Sequence, residues 1–127
     1  MGGFDWSDYF KLATRLSSEA GEASLRSAVS RSYYCIFHLA LTRAENNNYV
    51  PAKQGSSHRD LWLLYDSSPV HECRALAAIG RRMKSWRVTA DYDDQFPKLE
   101  ETCQRVLVEA QRFATVLAKV DPRHPKR

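Results

Sequence analysis

Apolar side chains recur three and four residues apart along this chain and nowhere alternate, so the pattern predicts helices and no strands. The longest such run is Glu22 to Asn46, where Leu25, Val29, Ser32 or Tyr33, Ile36, Ala40 and Ala44 form one stripe that Phe37, Leu39 and Leu41 widen. A stripe that broad predicts a helix with neighbours on more than one side, at the centre of a bundle. Ahead of it, Asp5 is placed to cap a short helix to about Leu16, with Trp6, Tyr9, Phe10, Ala13 and Leu16 at helical spacing. Ser17 to Gly21 interrupt the pattern.

Beyond the long run, Asn46, Asn47, Asn48 and Pro51 predict a loop, and Ser57 with Asp60 opens a short third helix to about Tyr65. Ser68 and Pro69 start a fourth, with Leu76, Ile79, Met83, Trp86 and Ala90 facing inward, and Asp91 to Asp94 close it. A fifth begins near Gln95 or Pro97, carries Phe96, Leu99, Cys103, Val106, Ala110, Phe113 and Leu117 in a narrow stripe, and stops at Asp121-Pro122. The expectation is all-α: a five-helix up-and-down bundle with two long helices and one short one over residues 1–120, then a disordered basic tail over 121–127.

With 127 residues, of which 43% are hydrophobic, the chain can build one core and needs no second domain. No apolar run is long enough for a bilayer, and the N-terminus carries acids where a signal peptide carries bases, which predicts a cytoplasmic protein with no membrane partner. Gly2 and Gly3 make no lipidation signal, because Trp6 stands where Ser or Thr is required. Cys35, Cys73 and Cys103 are odd in number and far apart, as small core residues of a reduced compartment. No spacing of metal ligands occurs, so neither a metal nor another cofactor is expected.

Charge changes the picture locally. Of the net +4, the last seven residues supply two, with three bases against one acid. In the body, Arg81, Arg82 and Lys84 crowd with Arg87 into GRRMKSWR with no acid among them, a candidate nucleic-acid patch or else a solvated helix face. Beside the apolar stripe of the long helix runs a polar line, Arg31, Tyr34 and His38. Each alone suits a packed side chain with one hydrogen bond.

Taken together, the run from Arg26 through Ser30, Arg31, Tyr33, Tyr34 and Phe37 to His38 resembles the second helix of the HEPN superfamily (higher eukaryotes and prokaryotes nucleotide-binding), in its small stand-alone prokaryotic branch. His58, opening the short helix, and Arg87-Val88-Thr89-Ala90-Asp91-Tyr92-Asp93, closing the fourth, are similar to two further segments of that branch. The resemblance implies a helical bundle, a homodimer, binding of RNA or a nucleotide, and pairing with a nucleotidyltransferase in a toxin–antitoxin or phage-defence system. Superfamily ribonucleases need no metal: an Arg stabilises phosphate charge and a His, a short gap further on, moves the proton. Arg31 and His38 are the literal match, about 10.5 Å apart along one helix. In those ribonucleases the pair usually lies near the later helices, where this chain has Arg87, Asp91 and Tyr92 but no His.

Three classes stay open: a non-catalytic RNA- or nucleotide-binding HEPN protein, a ribonuclease using Arg31 and His38, and a purely structural helical adaptor. The predicted site is a polar cluster of Arg31, Tyr34, His38, His58, Arg87, Asp91 and Tyr92, with an Arg87–Asp91 pair one turn apart. The regular stripe of the last helix, with Trp62 and Trp86, offers more apolar surface than a small bundle readily hides and adds to the expectation of a homodimer.

Overall fold

The computed structural model describes residues 3–19, 21–53 and 55–127, so Gly2 of the lipidation reading and one residue in each of the first two loops lie outside it. Five α-helices follow one another: α1 (Ser7–Ser17), α2 (Glu22–Asn46), α3 (Ser57–Asp66), α4 (His71–Tyr92) and α5 (Leu99–Lys119). No strand occurs among the described residues, and the chain is an all-α bundle. Three helices exceed twenty residues, so α4 joins α2 and α5 among the long ones, while α1 and α3 have 11 and 10. No described helix is long and apolar enough to cross a membrane.

Helix α2 packs against all four others. The reason lies in its stripe: Ala28, Ala40 and Ala44 are fully buried and small enough to admit neighbours closely, while Val29, Tyr33 and Ile36 fill the space between them. Helix starts and stops obey local chemistry. Asp5 Oδ1 accepts from the Ser7 amide at 3.0 Å as the first helix begins. Ser56, one residue earlier than the sequence suggests, donates from Oγ to Asp60 Oδ2 at 2.9 Å and precedes α3. Ser68 Oγ accepts from the Val70 amide at 3.1 Å, which places the start of α4 two residues beyond Pro69. Lys98, with φ 57°, turns the chain left-handed, and α5 starts only at Leu99.

Two arginines of α2 close the ends of other helices. Arg26 donates to the carbonyls of Thr89, Ala90, Asp93 and Asp94 at the end of α4, and is itself held by Glu22 at 2.8 Å. Arg43 donates to the carbonyls of Leu117, Val120, Asp121 and His124 at the end of α5. Both meet carbonyls in and just past the last turn of a helix, with the charge sign its dipole favours there. The segment 121–127, for which composition predicts a disordered tail, is seated by these bonds, by Asn47 donating to the Pro122 carbonyl at 3.0 Å and by burial of Pro125.

The stripe of α5 is spent inside the chain: Leu99, Cys103, Val106, Ala110, Phe113 and Leu117 are all buried. Trp62 is fully buried too, and Trp86 is half-buried with Arg105 over its ring at 5.4 Å. These groups are therefore packed largely within the one chain, and their burial does not itself call for a second copy. The three cysteines are buried and unpaired.

Trp62 is where α3 meets α4. A Cβ at Gly80 would lie 2.7 Å from three atoms of the indole, so only glycine admits the ring at this depth. The indole also meets Phe113 in an edge-to-face contact at 5.9 Å between ring centres. Gly80→Ala should destabilise the fold by about 1–3 kcal/mol, because overpacking outweighs the gain in helix propensity of about 1 kcal/mol. Urea denaturation checks this, and an unchanged or raised midpoint would show that the indole yields without cost.

Candidate functional site

Of the sequence-predicted polar groups, Tyr34, His58, Arg87 and Asp91 gather where the middle of α2 meets the start of α3 and the last turns of α4. Phe37 stacks on the His58 ring at 4.1 Å between centroids and 21° between planes. Tyr33 Oη lies 2.7 Å from His58 Nδ1 and receives the Trp62 indole N–H at 3.0 Å. The core contact at Gly80 therefore extends, through Trp62 and Tyr33, to the imidazole. From α4, the Arg87 guanidinium lies 5.6 Å from the Tyr33 ring centre and 5.2 Å from that of Tyr34, two aromatic faces that favour a cation.

Arg87 is 7% exposed, and its only carboxylate partner among the described residues is Asp91, 3.4 Å from Nη1. Ser30 Oγ donates to the same Asp91 oxygen at 3.3 Å, and Arg87 Nε has no partner. The predicted Arg87–Asp91 pair is present, and it engages one corner of the guanidinium only. Tyr92, by contrast, is 73% exposed and touches none of this: one residue past Asp91, it projects to another side of the helix.

Arg31 and His38 lie on the other side of Tyr34. Together with Trp6 and Tyr9 of the N-terminal segment they line a shallow depression of about 340 Å³. Trp6 stacks on the His38 ring at 3.5 Å and 7°, and the Arg31 guanidinium sits 5.0 Å from the Tyr9 ring centre. No carboxylate lies within ion-pair distance of Arg31 among the described residues. The sequence reading missed Trp6 and Tyr9, because their helical spacing reads as core. The one available signal was Phe4, Trp6 and Tyr9 coming within six residues, denser than a short amphipathic helix needs.

The basic patch does not form one surface. Consecutive helical residues point 100° apart, so Arg81 turns to Asp66 at 3.0 Å and Arg82 to the buried Glu109 at 2.7 Å. Lys84 alone faces the cluster, where its charge bears on His58. Larger depressions lie beside Gly21, Lys98 and Leu99 and beside Asn47 and Arg123. The first sets one base, Lys98, among Glu22, Glu100 and Glu101, and the second sets Arg123, paired with Asp121 at 2.7 Å, beside Lys126 and Arg127 with no imidazole or aromatic ring in its lining.

Burial disfavours the charged form of both imidazoles. His58 is pushed down to about 4, by desolvation first and then by Arg87, Lys84 and His38, and His38 is lowered by desolvation alone. The same desolvation, largest of its causes, raises the Tyr33 phenol well above its ordinary value. At neutral pH the site thus holds two uncharged imidazoles beside the cations Arg31, Arg87 and Lys84, with Asp91 as the near acid. No three His, Cys, Asp or Glu side chains converge as metal ligands among the described residues.

Comparison of the chain with protein-family models, with curated proteins and with solved structures found no match.

The shift of His58 links folding to pH. The unfolded chain takes up a proton near 6.5 that the folded chain refuses until about 4, so stability is whole above pH 6.5 and falls as pH drops through that window. Urea midpoints measured from pH 7 to pH 4 should decline, and His58→Gln should lessen the decline. A His58→Gln slope equal to that of the wild type would assign the effect elsewhere.

Proposed function

We propose that the chain is a HEPN-type protein that binds RNA or a nucleotide through phosphate, at the cluster around Tyr34. The observation that carries this reading is the lining of one depression by Arg31 and His38 with Tyr34 between them. Their separation of about 10.5 Å along the helix demands a substrate between the two, and the depression provides the room. Arg31 has donors that no carboxylate neutralises, and Arg87 and Lys84 add positive potential from α4. Aromatic rings around such cations suit a single-stranded chain, whose bases stack while its phosphates pair. The resemblance of the second-helix run, of His58 and of the Arg87 to Asp93 segment adds a homodimer and a nucleotidyltransferase partner to this reading, in a toxin–antitoxin or phage-defence setting.

A second reading, metal-independent cleavage, is favoured by the state of His38. An imidazole kept neutral near pH 7, with neither ring nitrogen bonded to a described residue, suits a general base for a ribose 2′-hydroxyl, with Arg31 across the depression to stabilise phosphate charge. In both readings affinity has an electrostatic component that salt weakens. Binding of a labelled single-stranded RNA, measured by fluorescence anisotropy, should weaken about tenfold in Arg31→Ala, as expected for a lost charge-assisted contact. Arg81→Ala should bind within about twofold of wild type, because that side chain is engaged by Asp66. Cleavage of the same RNA that vanishes in His38→Ala with binding retained selects the ribonuclease. Absent or salt-insensitive binding by the wild type leaves the helical adaptor.

A further inference from the structure

The hydrogen-bond chain behind His58 has a direction. Trp62 Nε1 carries a hydrogen and no acceptor lone pair, so at 3.0 Å it donates to Tyr33 Oη. The phenol hydrogen then has one partner within reach, His58 Nδ1, at 2.7 Å. Were the hydrogen on Nδ1 instead, the phenol oxygen would accept twice and its own hydrogen would be left unpaired where Tyr33 is 0% exposed, a costly arrangement in a dry core.

We infer that His58 is held with its ring hydrogen on Nε2, and that this Nε2–H donates to a phosphate oxygen of bound RNA, with Tyr33 and Trp62 as positioning residues. The inference rests on the RNA-binding reading above. Among the described residues no group pairs with Nε2, and it is not one of the sealed, unpaired atoms of the fold; the ring adjoins Tyr34, which lines the depression beside Arg31 and His38. The titratable groups around the ring are Arg87 and Lys84 from α4 and His38, Tyr33 and Tyr34 from α2, with Phe37 stacked on it. None is an acid, and the two charged ones are positive. The two cations that disfavour a second proton on this ring also draw an anion toward Nε2–H.

The two imidazoles thereby take different parts. His58 has its one lone pair engaged by Tyr33 and offers only a donor. His38 has no such partner and retains a lone pair for proton uptake. Positioning by a hydroxyl behind the ring also explains why a tyrosine stands at a core position where phenylalanine would pack equally well.

Nitrogen-15 NMR of the full chain without ligand should show His58 Nδ1 as an acceptor and Nε2 protonated at neutral pH, and Tyr33→Phe should yield a mixture of tautomers. Labelled single-stranded RNA should bind His58→Leu about tenfold more weakly than wild type, as for loss of a charge-assisted hydrogen bond. It should bind His58→Gln, whose amide N–H stands near the Nε2 position, within about threefold. A wild-type His58 carrying its hydrogen on Nδ1 overturns the inference. So does His58→Leu binding as tightly as wild type while Arg31→Ala weakens, an outcome that leaves RNA binding itself standing. If the wild type binds no RNA, the functional reading and the ligand assigned to Nε2–H fall together, whatever tautomer the free protein shows.

Discussion

The seating of Trp62 on Gly80 governs how α3 lies on the rest of the bundle. With no side chain at position 80, the indole comes down against the backbone of α4, and its N–H then reaches the phenol of Tyr33 on α2. Three helices are fixed relative to one another by one ring that is both apolar body and polar donor. The consequence reaches the surface, because Tyr33 is also the residue that meets His58. The imidazole is placed by the core rather than by the loop ahead of α3, which gives a half-buried side chain near a helix start a better-defined position than loops usually provide.

The electrostatics of the cluster arise from the same burial. Aromatic faces of Tyr33 and Tyr34 accommodate the Arg87 guanidinium where water cannot, and Asp91 engages one corner of it. A buried cation with an incomplete set of partners is costly on its own. Tyr33 and Tyr34 thus serve the fold and the cluster together, and substituting either would alter both.

Helix content was legible in the sequence because period is a property of the chain alone: the α5 stripe from Leu99 to Leu117 and the α2 stripe from Val29 to Ala44 are buried as their spacing predicts. Position along a helix was less legible. Starts of α4 and α5 shifted by two residues or more, since the turns at Ser68 and Lys98 are shaped by how the next helix packs as well as by the residues themselves. Reach was not legible at all. Helical period says nothing of where a long side chain ends, and Arg26 and Arg43 carry their charge to the ends of α4 and α5. In the basic run at 81–84, neighbours in sequence diverge around the helix, and Arg81 and Arg82 find different acids. In the cluster, Tyr34, His38, His58, Arg87 and Asp91 come together because α2 is central, whereas Tyr92 falls outside by one residue of helical phase. Trp6 and Tyr9 were hidden by their own suitability for a core.

The two arginine caps have a consequence for how the bundle comes apart. Helix ends ordinarily fray first, since their last carbonyls lose little by turning to water. In this chain the terminal carbonyls of α4 and α5 are gripped by side chains rooted on α2, the helix with the most neighbours. Local opening at either end must break bonds to the one element whose release requires the whole bundle to loosen. Two sites that would normally be the weak margins of separate helices are thereby drawn into a single cooperative unit.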